Sequence, residues 1–265
     1  MTQNLLITRN LSKSFAGFEA VQGLDLCVHR GEIFGFLGPN GAGKTTTIKM
    51  LVGLLKPTAG TIVIGGMDMA LHPLECKKMT GYIPDRPFLY EKLTGDEYLR
   101  FICSLYPDAV KGKAYEHAAR YLDLFDLGPW RHHLIEGYSH GMRQKLIMSS
   151  ILMLGQDLII VDEPMVGLDP KSARVVKELF RQKAQRGTTI FLSTHSMEIA
   201  EELCDRIGIL VNGQIRAVGS MGELRREAGR GDAHLEDIFL QLTGTFELQE
   251  VIKALRTSPV AGAGD

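Results

Sequence analysis

The chain has 265 residues, 45% of them hydrophobic and 23% charged, the balance of a soluble globular protein of one to two domains. Glycine and proline number 29 and 10, which excludes a low-complexity or collagen-like chain. Lys and Arg (30) nearly equal Asp and Glu (31), leaving a net charge of −1. That argues against a protein that coats nucleic acid, and no nucleic-acid partner is expected.

Cys27, Cys76, Cys103 and Cys204 show neither CxxC spacing nor a companion His cluster, and read as reduced, mostly buried thiols. The N-terminus has no basic region followed by a long apolar one, so no secretory signal is expected. The longest apolar stretch, Leu146 to Gly155, falls well short of the ~20 residues of a membrane span.

In chain order, Leu5–Thr8, Val21–Val28 and Glu32–Leu37 carry strand formers. A glycine-rich break follows. Then Ile48, Leu51, Val52 and Leu55 mark one helix face, stopped by Pro57. Thr61–Ile64 is a further strand. From Pro84 to about Tyr138 the pattern turns helical. Thr94 and Glu97 have capping-box spacing before the run Tyr98–Leu105, and a second helix is expected over Lys113–Leu127. Asp157–Val161 and Thr188–Ser193 read as buried strands, Ser172–Arg186 and Met197–Cys204 as helices. Ile207–Val211 and Gln214–Val218 form a hairpin across Asn212-Gly213. Leu235–Leu242 is amphipathic, and the end is expected to fray. Strand and helix alternate around a helical insert, as in an α/β nucleotide-binding core with a parallel sheet.

Three segments carry chemistry. Gly38-Pro39-Asn40-Gly41-Ala42-Gly43-Lys44-Thr45 fits G-x-x-x-x-G-K-[ST] between a strand and a helix. Glycines let backbone N–H groups approach phosphate oxygens, and the helix start adds its positive dipole end. Lys44 is expected on the β- and γ-phosphates of a nucleotide, Thr45 on Mg²⁺ and Thr46 on the α-phosphate. Leu158–Glu163 is a buried strand ending in two carboxylates. Side chains alternate along a strand, so Asp162 and Glu163 are expected to point apart. Asp162 would hold Mg²⁺ through water, and Glu163 would polarise the attacking water as general base. His195, after the next apolar strand, stands where ligands gather in α/β sheets and would help orient that water.

Between insert and second strand lies Tyr138-Ser139-His140-Gly141-Met142-Arg143-Gln144-Lys145. With the phosphate loop upstream and the carboxylate pair downstream, it resembles the signature loop of the ABC-transporter ATPases. The resemblance covers about residues 5–220. It implies a P-loop NTPase (ABC ATPase) core with a mostly parallel sheet, an antiparallel β subdomain and a helical insert. Residues 1–220 would form that domain, with the helical subdomain at about 86–150, followed by a short helical tail over 221–265. It further implies a head-to-tail homodimer, or a pair with a similar ATPase. Each ATP would lie between one subunit's phosphate loop and Ser139 and Gly141 of the other. A second helix N-terminus, ahead of the apolar stretch Leu146–Leu154, suits that arrangement.

Other positions follow from the resemblance. Phe15 sits where the family stacks an aromatic on adenine, or is an ordinary core residue. Gly167-Leu168-Asp169 resembles the D-loop that crosses the dimer interface, and Asp169 also has the position of a helix cap. There are departures: Asp85 occupies the place of the Q-loop glutamine, where it can still act on Mg²⁺ or its water, and His140 and Met142 replace the commoner Gly and Gln. Leu235–Gly244 is similar to tails of the drug- and antibiotic-export branch, or is a generic amphipathic helix. The expected protein is cytoplasmic and sits on the inner face of the cell membrane through a separate integral membrane permease. Pro87, Phe88, Leu89 and Tyr90 either line a groove for that permease or pack the insert onto the core. A soluble ABC ATPase acting on nucleic acid or ribosomes is the alternative, but such relatives carry tandem cassettes, coiled arms or basic extensions that this chain lacks. A guanine-reading NKxD motif is also missing.

Overall fold

The computed structural model describes residues 3–106, 114–229 and 233–243. Two sheets dominate. β1 (Asn4–Phe15), β2 (Phe18–His29), β4 (Ala59–Ile64) and β5 (Met67–Asp68) form an antiparallel sheet in the order β2-β1-β4-β5. The second sheet holds β3 (Ile33–Leu37), β6 (Thr80–Ile83), β7 (Leu158–Asp162), β8 (Thr189–Thr194), β9 (Arg206–Val211) and β10 (Gln214–Gly219). Their order is β10-β9-β3-β8-β7-β6. All its pairings are parallel except β9 with β10. The molecule is thus an α/β protein of the expected class.

The apolar strands are continuous because both sheet faces are covered. Ile33, Ile159, Val161, Ile190 and Leu192 pack towards the helical insert. Their alternate neighbours Phe34, Leu158, Ile160 and Phe191 pack towards the antiparallel sheet, with Phe34 and Phe191 stacked at 5.7 Å. Each such side chain contributes roughly 1.5–3 kcal/mol by leaving water.

The insert between β6 and β7 holds α3 (Gly95–Ser104), α4 (Ala114–Leu124) and α5 (His140–Leu152). The capping box forms: Glu97 N donates to Thr94 Oγ1 at 3.2 Å, and Thr94 N donates to Glu97 Oε2 at 2.8 Å. The expected start of α4 at Lys113 lies outside the described residues. Asn212 and Gly213 both take positive φ, 50° and 77°, as a type I′ hairpin turn requires. Beyond β7 come α6 (Pro170–Gln185) and α7 (Met197–Leu203), and after β10 come α8 (Met221–Glu227) and α9 (Leu235–Thr243). Leu224, Leu235, Ile238 and Phe239 from the last two pack with Leu37, Ile207 and Ile209 of the parallel sheet.

Several expected boundaries move. β1 and β2 are 12 residues each, because polar residues persist on their exposed edges while the buried alternation continues. The first helix, α1 (Lys44–Leu51), stops short of Leu55. Gly53 takes φ 68°, and Leu54 is left exposed. α2 (Pro73–Met79) and β6 were not expected at all.

Candidate active site

The parallel register assembles the site. Leu37 of β3 pairs with Thr194 of β8, and Ser193 of β8 with Asp162 of β7. The phosphate loop, His195 and the carboxylate pair therefore leave the sheet side by side. Ile83 of β6 pairs with Val161, which brings Pro84-Asp85 to the same edge. Carboxyl ends of parallel strands are where α/β sheets bind ligands.

The loop Gly38–Gly43 is held by backbone contacts. Ala42 N donates to Pro39 O at 3.2 Å, and Gly213 N of the β9–β10 turn donates to Ala42 O at 2.9 Å. Gly43 has φ 105°, and a Cβ there would lie 2.4 Å from the Ala20 carbonyl oxygen, so no other residue fits. Gly43 is also the N-cap of α1 and makes no side-chain cap bond. The first amides of α1 are therefore left for an external anion. Lys44 is buried, and its Nζ donates to Gly38 O at 2.6 Å and Pro39 O at 3.1 Å. Burial lowers its pKa, against the pull of the Glu163 and Asp162 carboxylates.

Thr45 Oγ1 donates to Asp162 Oδ2 at 3.5 Å, so the two expected Mg²⁺ ligands face one another. Burial raises the Asp162 pKa, and the neighbouring carboxylates of Glu163 and Asp85 add to it. Tyr82 is pushed up to about 12 by burial and by Asp162 and Asp85. Such crowding of negative charge around Thr45 suits a divalent cation. Among the described residues no group of three His, Cys, Asp or Glu side chains can hold a metal ion unaided. Mg²⁺ commonly takes one or two carboxylates and completes its shell with substrate phosphate and water, which fits what is present.

Asp162 and Glu163 bond different partners, Thr45 and the residues at the end of β8, but strand alternation is not what separates them. The strand ends at Asp162, and Glu163 takes φ 48°. A left-handed non-glycine residue costs about 1–3 kcal/mol. Three hydrogen bonds hold it: Glu163 N donates to Ser193 O at 3.0 Å, Thr194 Oγ1 to Glu163 Oε2 at 3.2 Å, and His195 Nδ1 to Glu163 Oε1 at 2.8 Å. An ionised carboxylate only accepts, so Nδ1 carries the proton and Nε2 faces outward. The His195 side chain is 63% exposed and that of Glu163 only 16%.

Ser139 caps α5, accepting from Met142 N at 3.3 Å. A Cβ on Gly141 would lie 2.7 Å from Gly167 O, so the signature helix starts in close contact with the D-loop segment. Asp169 caps α6 by accepting from Ser172 N at 2.9 Å, and accepts from Lys145 Nζ of α5 at 2.8 Å. The Lys145 ammonium and the cap bonds hold its carboxyl well below the usual range. Phe15 is 45% exposed, so it is not a core residue, and Lys13 Nζ lies 5.1 Å from its ring centroid.

Sequence reasoning missed four contributors. Thr194 supports Glu163, Gly213 braces the loop, Lys145 ties α5 to Asp169, and Gln144 is fully buried with its Nε2 donating to Pro84 O at 3.3 Å. Gln144 and Lys145 lie inside the recognised signature segment, so the signal was present without a role. For Gly213 only the turn was visible.

A phosphate loop, a buried acidic strand end and a carboxylate–histidine pair on one sheet edge define a P-loop nucleoside-triphosphatase. The ABC transporter family model matches residues 21–166, and the chain belongs to that family, whose ATP-binding cassettes hydrolyse ATP to power transport. It is 39% identical over 222 residues to the daunorubicin/doxorubicin resistance ATP-binding protein DrrA of Streptomyces peucetius, covering 84% of this chain and 67% of that one. It is 34% identical over 253 residues to the linearmycin resistance ATP-binding protein LnrL of Bacillus subtilis, covering 96% and 79%. A solved ATP-binding subunit of an ABC transporter superposes with a TM-score of 0.86 at 34% identity, covering 90% of this chain and 99% of that one.

Proposed function

We propose that this ATPase subunit dimerises head-to-tail on ATP and drives export through a separate membrane permease. The observation that carries it is the pairing of two unlike helix starts in one chain. α1 begins in a bare glycine loop beside a buried lysine. α5 begins exposed at Ser139 with no lysine of its own turned to it. One is equipped to hold a triphosphate, the other only to complete a site held elsewhere.

Within each site, the amides of Gly38–Gly43 and the Lys44 ammonium bind the β- and γ-phosphates, Thr46 the α-phosphate, and Phe15 packs on the base. Thr45 and Asp162, with Asp85 alongside, hold Mg²⁺, which supplies neutralisation of phosphate charge. Glu163 accepts a proton from the attacking water, and His195 fixes the carboxylate through Nδ1 while Nε2 stays available to the γ-phosphate. Ser139 and Gly141 reach the partner's nucleotide, with Asp169 beside the interface.

Among the described residues no helix is long and apolar enough to cross a membrane, and in this reading the transport path lies in a second, membrane-spanning protein. Phe88 is 97% exposed and Tyr90 60% exposed, and the two directly follow the Asp85 loop. They form an apolar docking face for that permease on its cytoplasmic side, while Leu89 packs inward. Similarity to the resistance proteins supports export of an antibiotic-like compound. Affinity purification of the tagged protein from mild-detergent membranes tests the role. A multispan protein at equimolar yield, lost on Phe88→Asp, is expected. Intact ATPase activity with no membrane partner would favour a soluble ATPase instead.

A further inference from the structure

We propose that the groove between α4 and α6 docks an acidic amphipathic helix of a partner protein. The groove encloses about 1580 Å³ and shares no lining residue with the phosphate loop or the carboxylate edge. Its floor is aliphatic, with Leu124, Val175 and Leu179 reaching into it, and Leu124 is 38% exposed. Its rims are cationic: seven Lys or Arg line it against two Glu, in a chain whose net charge is −1.

The cations are arranged in a line. Lys171, Arg174, Lys177 and Arg181 recur every third or fourth residue of α6, so they share one helical face. Ten residues at about 1.5 Å each span ~15 Å, longer than a single carboxylate or phosphate and well matched to a helix laid alongside. Internal pairing leaves the stripe undersatisfied. Lys177 and Arg181 converge on the single carboxylate of Glu202, and Lys171 meets Asp126. Among the described residues Arg120, Arg174 and Arg186 pair with no carboxylate.

Chemistry selects the occupant. An aliphatic floor gains from burying apolar side chains, while cationic rims favour acidic flanks and speed encounter. A nucleic acid would use the rims and leave the floor unused. A helix with leucines at three- and four-residue spacing and glutamates on both flanks uses both.

The probe is a fluorescein-labelled model peptide of about 18 residues with that pattern, titrated into the full chain by anisotropy. Saturable micromolar binding at ~50 mM salt is expected, weakened at least tenfold by Arg120→Glu with Arg174→Glu and by raising salt to ~0.3 M. The double variant should keep its helicity and ATPase activity. Absence of binding at ~500 µM, or equal binding of a peptide with glutamine flanks, overturns the proposal. A photocrosslinker replacing Arg174 in cells identifies the natural occupant. An adduct to an acidic, amphipathic segment of another protein supports the proposal. An adduct only to nucleic acid, to a second copy or to the chain's own residues, or no adduct at all, contradicts it.

Discussion

The N-termini of α1 and α5 face the same physical problem, a set of unpaired amides, and solve it in opposite ways. At α1 the cap is a glycine, and the loop before it is held against backbone from two other segments, Ala20 of β2 and Gly213 of the β9–β10 turn. A buried lysine supplies positive charge. At α5 the serine hydroxyl satisfies one amide, and the nearby cations are turned away. Arg143 binds Glu91 Oε1 at 2.6 Å and the carbonyls of Tyr138 and Glu136, while Lys145 binds Asp169. The first end is a preorganised anion site that needs no partner. The second is exposed and positioned but lacks a free cation, and in the proposed dimer it would contribute to ATP binding only when another subunit brings the phosphate.

Breaking the first region has the larger effect. Glu163→Gln removes the proton acceptor while keeping the hydrogen-bonding shape, so steady-state ATP turnover falls by about 10²–10⁴ with ATP binding retained. Unchanged turnover would take Glu163 out of the base role. Lys44→Ala removes a charge from a partly dehydrated anion site. By isothermal titration, Mg-ATP affinity falls by at least about tenfold, the equivalent of ~1.4 kcal/mol.

The second region responds more mildly. Ser139→Ala loses a helix cap, lowering stability by about 1 kcal/mol in urea unfolding. Affinity of the isolated subunit for ATP stays the same, and only ATP-driven association weakens. Asp169 gives a stability effect of similar size, and it depends on pH. Its carboxyl titrates below the unfolded value, so its contribution is present above about pH 4 and fades as pH falls through the depressed folded value. The stability gap between the wild type and Asp169→Ala, about 1 kcal/mol at pH 7, narrows below pH 4.

The same contrast explains what could be read from sequence. The phosphate loop was legible because its residue types are dictated locally, by close approach of backbone to anion between a strand and a helix. The Asn212-Gly213 hairpin was legible for the same reason. β6 was not, since it is four residues long and has a glycine inside it. That glycine is required by tertiary packing: a Cβ on Gly81 would lie 2.4 Å from Gln156 Oε1 and 2.5 Å from Ile151 Cγ2. The left-handed turn at Glu163 was hidden too, because its support comes from Ser193, Thr194 and His195 across a strand pairing. The Lys145–Asp169 and Gln144–Pro84 links join segments 24 and 60 residues apart, and no local pattern announces them.

The most direct measurement is the solution mass of Glu163→Gln by light scattering, with and without Mg-ATP. The account predicts a monomer that becomes a dimer holding two ATP molecules, and that stays a monomer when Ser139 is also changed to a bulky acidic residue, Ser139→Glu. A Glu163→Gln protein that binds Mg-ATP fully and remains a monomer at all accessible concentrations would contradict it.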